Sequence, residues 1–480
     1  MSHGRHAHTN ATSYRLSTRV RRCLGLLSIC LLAMATMAEA HAQSPEKFAM
    51  VVADGLSAES FHHPDAEIRT LIETLLADNP RVLSAWTRSR SRFQQVPQAR
   101  SLPDLELNYR YFAQTPETRV GPQEHMLELS QGIPWAGKRA LQAERAEQLA
   151  SGAAWEAQDV ERQLVSELKS AYFEAAYLQE ALIVNTEERE LLRRFESIAL
   201  KRYSTGQGIQ QSVVKVQTDI SRLHDRETEL REHLDTMLRR ISELIGQPET
   251  PLTLGPIDLP LPDVPHDRDA LEGIAASANP RARAVERRVE ADRIWAKRRN
   301  LESRPDFRIG LGYTLVEQRE DFAGMLNPPD DNGKDVLALA VGINIPIYRK
   351  GIRAGIAQAR ESQQANEELL EAVRNGLRLD VQEALLRLDS LGERGRLFRD
   401  VIILQAEESL ASAEAAYTTD RLGFLDLLDA ERVLFQSRLA YHRLVSDVWI
   451  TLAGLERAIG QAYPSNAPSA NAGIGITESS

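Results

Sequence analysis

Two long stretches without proline constrain the fold of this chain more than any other feature of its sequence. One lies between Pro134 and Pro248, and the other lies between Pro346 and Pro464. Six prolines are concentrated between them, within residues 248–266. Because proline interrupts helices, each proline-free stretch can hold very long helices, whereas residues 248–266 are predicted to form an extended linker.

Short motifs recur in the same order in the two halves of the chain. The pairs are Asn79-Pro80-Arg81 with Asn279-Pro280-Arg281, Pro103-Asp104-Leu105 with Pro305-Asp306-Phe307, and, at a constant offset, Tyr203 with Tyr417 and Gly246 with Gly460. A repeated order of motifs indicates an internal duplication. The sequence therefore predicts a first repeat at residues 43–247, a second repeat at residues 267–462 and a flexible C-terminal tail at residues 463–480.

Each repeat contains two segments in which apolar and polar residues alternate. These predicted strands lie at residues 104–112 and 124–133 in the first repeat, and at residues 306–316 and 335–346 in the second. Their length of about ten residues suits strands that cross a membrane in a β-barrel. A half-buried sheet of a soluble protein alternates in the same way, so the strands alone leave both interpretations open.

Two long helices are predicted to follow the strands of each repeat. Apolar residues recur every three or four positions between Ala140 and Arg202, which predicts a helix of roughly 90 Å. A turn at residues 203–208 returns the chain as a second long helix that reaches Gly246, and a similar turn lies at residues 417–423. The predicted fold is mainly α, with helix-strand-strand-long helix-long helix in each repeat and the long helices packed as in a coiled coil.

Four membrane strands cannot close a barrel within one chain. A single-chain barrel needs at least eight strands, and an open sheet edge in lipid would leave backbone groups without hydrogen bonds. Two chains would supply eight strands and three chains would supply twelve. If the strands cross a membrane, the protein must therefore form an oligomer, and its long helices project into water as a continuation of the barrel.

The N-terminus has the pattern of a secretory signal peptide. Arg15, Arg19, Arg21 and Arg22 precede an apolar run from Leu24 to Ala35, and small residues follow it, so residues 1–42 are predicted to be cleaved. Cleavage removes Cys23 and Cys30, the only two cysteines of the chain. The exported protein is therefore expected to have no disulfide and no thiol chemistry.

Several other functions receive little support from the sequence. The net charge of −10 argues against nucleic-acid binding. No constellation of serine, cysteine, lysine or histidine residues indicates an enzyme or a cofactor. The adjacent His62 and His63 can be a metal site or a solvated pair, and the solvated pair is the preferred interpretation. No metal site and no cofactor are predicted.

Two motifs resemble those of the TolC-like outer-membrane efflux family. They are Leu129-Ser130-Gln131-Gly132-Ile133-Pro134-Trp135 with Gly137-Lys138-Arg139, and Tyr417 with Asp420-Arg421, Gly423, Asp426, Asp429 and Ala430. The resemblance covers nearly the whole mature chain. It implies a homotrimer in the outer membrane of a Gram-negative bacterium, with a 12-stranded barrel continuous with an α-helical periplasmic tunnel. It also implies an exit duct that contacts outer-membrane lipid, a periplasmic adaptor and an inner-membrane efflux transporter.

The same resemblance suggests residues for the channel aperture. Asp426 and Asp429 match the family's aperture aspartates and, three positions apart, share one face of a helix. In a trimer they would form a ring of six carboxylates, which favours cations and can hold a pore closed. Solvated charges at a helix N-terminus are the alternative interpretation. Tyr417 and Arg421 are predicted latch residues that bind a neighbouring hairpin.

The two predicted turns are also the implied contacts for the adaptor. Their residues are Gly206 and Gly208 in the first repeat, and Asp420 and Gly423 in the second. The family usually has glycine at the position of Asp420, so the sequence leaves the geometry of the second turn open.

The cargo of such a duct is set by the transporter that feeds it. The residues around Lys138 and Arg139 resemble the heavy-metal branch of the family, which favours metal ions or small toxic compounds. Two alternatives stay open: the outer-membrane duct of a type I protein secretion system, and a periplasmic coiled-coil structural or adaptor protein without a barrel.

Overall fold

A computed structural model describes residues 66–250 and 252–463 of the chain. The predicted signal peptide at residues 1–42, the His62-His63 pair and the tail beyond Tyr463 lie outside these residues. None of the helices within the described ranges is both long and apolar enough to cross a membrane.

The chain folds into long helices and one antiparallel sheet. The helices are α1 (Ala66–Asp78), α2 (Pro80–Phe93), α3 (Gln95–Arg100), α4 (Lys138–Ser204), α5 (Gln210–Leu244), α6 (Arg268–Ala278), α7 (Pro280–Asn300), α8 (Phe322–Leu326), α9 (Arg349–Leu397), α10 (Ile403–Thr418) and α11 (Phe424–Ile459). The strands are β1 (Glu106–Tyr111), β2 (Glu117–Thr118), β3 (Gly121–Ile133), β4 (Phe307–Val316) and β5 (Val336–Ile343). A 3₁₀ turn at Leu301–Ser303 follows α7, and a π-helical segment at Phe398–Ile402 joins α9 to α10.

The longest helix, α4, organises the helical part of the fold. Its 67 residues span about 100 Å at 1.5 Å per residue. Alanine and leucine occupy its buried positions, as Leu164, Leu168 and Ala175 illustrate, so α5, α7 and α11 can pack closely against it. The core is therefore drawn out along α4 as three apolar clusters.

The sheet joins the strands of the two halves in the order β1-β3-β4-β5, with β2 beside the start of β3. Leu107 of β1 lies opposite Leu129, which lies opposite Leu311, which in turn lies opposite Leu339 of β5. Three of these leucines are 40–74% exposed: Leu107, Leu311 and Leu339. One face of the sheet thus presents an apolar row that no other part of the described chain covers.

The strand ends and one helix differ from the sequence prediction. The strand expected at 124–133 begins at Gly121, because the two residues of β2 pair with its first residues. The strand expected at 335–346 ends at Ile343, three residues before Pro346, which has no N–H to donate. The π-helical segment, β2 and the short helix α8 had no counterpart in the prediction.

The two halves of the chain repeat the same contact at equivalent positions. Asn79 caps α2 and donates from Nδ2 to the carbonyl oxygen of Leu244 at 2.6 Å. Asn279 caps α7 and donates to the carbonyl oxygen of Ala458 at 2.9 Å. In each half, an asparagine therefore ties the start of a capped helix to the end of the last long helix.

Candidate functional site

The first hairpin tip connects α4 to α5 through a turn that contains a left-handed residue. Gly206 has φ of 73°, in the left-handed region that is costly for residues with a Cβ. Its N–H donates to Tyr203 O at 3.1 Å, and the N–H of Gln207 donates to Arg202 O at 2.9 Å. Gly208 is required for a different reason, since a Cβ there would lie 3.1 Å from the Cβ of Arg202.

The second hairpin tip, between α10 and α11, makes the same turn without glycine. Asp420 has φ of 61° and is the only residue other than glycine with positive φ in the described ranges. Its N–H donates to Tyr417 O at 3.2 Å, and the N–H of Arg421 donates to Ala416 O at 2.9 Å. Aspartate tolerates this conformation better than most residues. The departure at Asp420 from the family's usual glycine therefore leaves the turn unchanged.

Arg202 of the first hairpin binds the second hairpin tip. Its Nη1 donates to Tyr417 O at 2.9 Å, and its Nη2 forms an ion pair with the carboxylate of Asp420. Its guanidinium carbon also lies 4.8 Å from the centre of the Tyr417 ring. Sequence analysis missed Arg202, although its position just before the first turn placed it near the tips.

The two predicted latch residues differ in their surroundings. Tyr417 is 6% exposed and packs against the ring of Phe424 at 5.5 Å between centroids. Burial raises the pKa of its phenol, and the positive charge of Arg202 partly opposes that rise. Arg421 is exposed. Within the chain, the arginine that contacts Tyr417 is thus Arg202.

The predicted aperture residues lie on the first two turns of α11. Asp426 and Asp429 are exposed, whereas Leu427 and Leu428 between them are buried in the tip core. Gly423 comes directly before α11. A Cβ at this position would lie 3.0 Å from a carboxylate oxygen of Asp426. Both carboxylates therefore face solvent at one hairpin tip.

The equivalent positions of the first tip carry different charges. Ser212 and Lys215 occupy them, and the ammonium of Lys215 lies 3.1 Å from a carboxylate oxygen of Asp219. One chain can therefore supply an acidic surface from its second hairpin only.

Two neighbouring carboxyl groups, one buried and one partly exposed, lie behind the second tip. Glu431 of α11 is 3% exposed and hydrogen-bonds to Glu188 of α4, with Asp219 of α5 nearby. Burial and the negative charges of Glu188 and Asp219 raise the pKa of Glu431 to about 8, against the opposing charge of Arg432. At neutral pH, the Glu431 carboxyl is therefore mostly protonated and can donate to Glu188.

Sequence analysis also missed this carboxyl pair. Glu431 follows Leu427 and Leu428 at helical spacing and precedes Leu434 and Phe435 on the same buried face of α11. A glutamate on an apolar stripe was the signal that could have identified it.

The described ranges hold no arrangement of three or more His, Cys, Asp or Glu side chains suited to a metal ion. The two tips present charged side chains, aromatic rings and backbone turns. Such a surface can gate a pore or bind another protein.

Comparison with known protein families gives a match in each half of the chain. The family model described as outer membrane efflux protein matches residues 71–247 and residues 274–461. Each match contains one strand pair and one hairpin tip of the structure.

Individual relatives are distant but cover most of the chain. The cobalt-zinc-cadmium resistance protein CzcC of Cupriavidus metallidurans is 21% identical over 371 residues, which are 76% of this chain and 83% of the relative. The crystal structure of CusC superposes with a TM-score of 0.71 at 17% identity and covers 85% of this chain and 95% of CusC. The outer membrane protein VceC of Vibrio cholerae gives 0.68 at 18% identity, over 83% and 97% of the respective chains. These structures share the fold of this chain.

Proposed function

The chain belongs to the outer membrane efflux protein family, and we propose that it forms the exit channel through which a tripartite pump expels small toxic compounds or metal ions. Membership in this family confirms the resemblance found in the sequence. It also places the protein in the outer membrane, as an efflux channel. The inner-membrane transporter and the periplasmic adaptor are the proposed partners.

One observation carries the channel function: an apolar, exposed sheet is joined directly to long helices, of which α4 spans about 100 Å. The sheet ends at β1 on one side and at β5 on the other. In lipid, the backbone groups of these two edges must be paired by further strands. Three copies of the four long strands give a closed barrel of twelve, and the long helices then extend it as a periplasmic tunnel.

Two findings support the proposed tandem duplication. The family model matches the two halves of the chain separately. The asparagine contacts of Asn79 and Asn279 correspond to each other, as do the turns at Gly206 and Asp420. We therefore assign one repeat to each half of the proposed protomer.

The second hairpin tip is the proposed gate. In a trimer, Asp426 and Asp429 would bring six exposed carboxylates around the narrow end of the tunnel. Tyr417 and Arg421 are the proposed latch: Arg202 holds Tyr417 within its own chain, and the exposed side chain of Arg421 can reach a neighbouring one. Opening the gate would require the proposed latch contacts between neighbouring chains to break.

The turns themselves are the proposed contact with the adaptor. Gly206 is exposed, and a Cβ added there would have no other atom within 4 Å, so its surface can accept a close backbone approach from another protein. Gly208, Asp420 and Gly423 complete this proposed surface.

The proposed cargo follows from the relative CzcC, whose name links it to resistance against cobalt, zinc and cadmium. Metal ions would pass through the duct as substrate rather than bind in it as a cofactor. An acidic ring at the aperture suits cationic cargo.

Deletion of the gene in its native host tests this function. We expect the deletion strain to become sensitive to metal ions or small toxic compounds, and the purified protein to migrate as a heat-modifiable trimer from the outer membrane. Recovery as a periplasmic monomer would support the coiled-coil alternative instead. Unchanged tolerance together with loss of a secreted polypeptide would support the type I secretion duct.

A further inference from the structure

Charge is distributed unequally between the segments at the two ends of the strands. Four segments of 11 or 12 residues join the strands to the helices, at 95–105, 134–145, 295–306 and 344–355. They contain eleven Lys and Arg residues but only four Asp and Glu residues. The loops at the opposite strand ends, 112–120 and 317–335, contain three Lys and Arg residues and seven Asp and Glu residues. We call the first set of cations the basic collar: Arg100, Lys138, Arg139, Arg145, Lys297, Arg298, Arg299, Arg304, Arg349, Lys350 and Arg353.

The centre of the basic collar is one tryptophan surrounded by three arginines. The guanidinium carbons of Arg145, Arg299 and Arg298 lie 4.4, 4.5 and 5.3 Å from the centre of the Trp295 ring. Arg145 comes from α4 and the other two from α7, so two helices build the cluster. A cation–π contact needs only one cation, whereas this indole ring contacts three.

Carboxylates lie beside this cluster, but its three cations still repel one another. Glu302 accepts hydrogen bonds from Arg298 at 2.6 Å and from Arg299 at 3.2 Å. Burial lowers the pKa of Arg145, and the charges of Arg299 and Arg298 lower it further, against the opposing charge of Asp292. The site would therefore be stabilised by an additional anion.

A second aromatic contact lies closer to the strands. The guanidinium of Arg304 is 5.9 Å from the Trp135 ring, which stacks on Phe307 at the start of β4. Lys138 is held beside it, with its ammonium 2.7 Å from the carboxylate of Asp306. Tryptophan and long cationic side chains at the end of a membrane segment are typical of the layer where lipid headgroups lie.

The basic collar extends beyond this layer at Trp295, and its long arginine side chains reach back toward it. Trp295 is five residues from the end of α7, or about 8 Å along the helix axis. An arginine side chain extends toward the interface from that height. The headgroup layer is roughly 5–7 Å thick on each side of the hydrocarbon core.

We propose that the basic collar binds the phosphodiester headgroups of anionic phospholipids in the periplasmic leaflet, with Arg145, Arg299 and Trp295 at its centre. This inference rests on the proposed function, which places the sheet in the outer membrane and the helices in the periplasm. Arginine pairs with phosphate through two parallel hydrogen bonds, and basic residues next to a membrane segment attract anionic lipid. The acidic loops at the other strand ends face the opposite leaflet and have no comparable excess of cations.

The test uses the full-length protein in lipid nanodiscs made of phosphatidylethanolamine, with or without one quarter phosphatidylglycerol. The collar variant is Arg145→Gln with Arg299→Gln. The matched control is Arg222→Gln with Arg231→Gln, which removes two charges from the 70–71% exposed arginines of α5. Native mass spectrometry measures the lipid that the oligomer retains, and heat-modifiable migration reports whether it has inserted.

We expect the wild type and the control to retain several-fold more phosphatidylglycerol than phosphatidylethanolamine, and the collar variant to lose this preference. Arg145→Lys with Arg299→Lys keeps the charge, so it should preserve part of the preference even if the glutamine variant folds poorly. Equal retention in an inserted wild-type oligomer, or an unchanged preference in the collar variant, overturns the collar alone. Complete suppression of the preference by inorganic phosphate assigns the site to a soluble anion and also overturns it. Failure of the wild type to insert overturns the proposed function as well.

Discussion

The two hairpin tips share one backbone turn but present different surfaces. Gly206 and Asp420 adopt the same left-handed conformation, and the hydrogen bonds around them correspond. Tyr203 is 48% exposed at the first tip, whereas the equivalent Tyr417 is 6% exposed at the second. The two tips thus share the turn, while the side chains on it differ.

Arg202 explains why the two tyrosines differ. It reaches from the first hairpin to the second and covers Tyr417, but the residue equivalent to Arg202 in the second hairpin is Ala416. An alanine cannot return the contact to Tyr203. Within one chain this contact therefore runs from the first hairpin to the second only, and Tyr203 stays exposed.

The largest expected effect comes from removing the charges found only at the second tip. We expect Asp426→Ala with Asp429→Ala to raise single-channel conductance in planar bilayers several-fold and to weaken cation selectivity, because the proposed carboxylate ring is lost. The matched control is Ser212→Ala with Lys215→Ala at the first tip. Unchanged conductance of the aspartate variant, or an equal rise in the control, would argue against the gate.

The buried carboxyl group of Glu431, next to Glu188, predicts that the stability of the folded protein depends on pH. Glu431 has a folded-state pKa of about 8 and an unfolded value near 4.5, so the folded state binds more protons between these values. Its contribution to stability is therefore full below pH 4.5 and is lost as the pH rises through 8. We expect a loss of about 3 kcal/mol between pH 5 and pH 8, measured by denaturant unfolding of the detergent-solubilised protein.

Glu431→Gln should flatten this dependence, because the amide stays neutral throughout the pH range. The groups that face Glu431 are Glu188 of α4, Asp219 of α5 and Arg432 of its own helix. The matched control is Gln217→Glu, which places a carboxyl at the equivalent position of the first hairpin, where the residue is exposed. A slope as steep in Glu431→Gln as in the wild type would assign the pH dependence to other groups.

The sequence was more informative about the long elements than about the contacts between them. Alternation of apolar residues located β4 within the predicted 306–316, and the helical spacing of apolar residues located α4 to within two residues at each end. These features depend on local periodicity. Arg202 and Glu431 were missed because their roles depend on residues more than 200 positions away, with which they meet only after folding.

A moderate effect is expected when the contacts between Arg202 and the second hairpin tip are removed. Arg202→Ala loses a hydrogen bond to Tyr417 O, an ion pair with largely exposed Asp420 and a cation–π contact, which together stabilise by about 1–2 kcal/mol. We expect faster hydrogen exchange at residues 413–423, with no change near Asn79. Lys201→Ala, which alters an exposed neighbouring cation, is the control. Equal exchange in both variants would contradict a stabilising role for Arg202.

The smallest effects come from exchanging the residues at the left-handed positions. Asp420→Gly relieves the cost of a side chain at positive φ but removes the exposed partner of Arg202, so we expect a change in unfolding free energy below about 0.5 kcal/mol. Asp420→Val should destabilise by about 1–2 kcal/mol, because a β-branched residue fits this conformation poorly. Gly206→Asp, with open space around it, should be tolerated nearly as well as the native aspartate at position 420. Equal stability of Asp420→Val and Asp420→Gly would contradict a left-handed conformation at position 420.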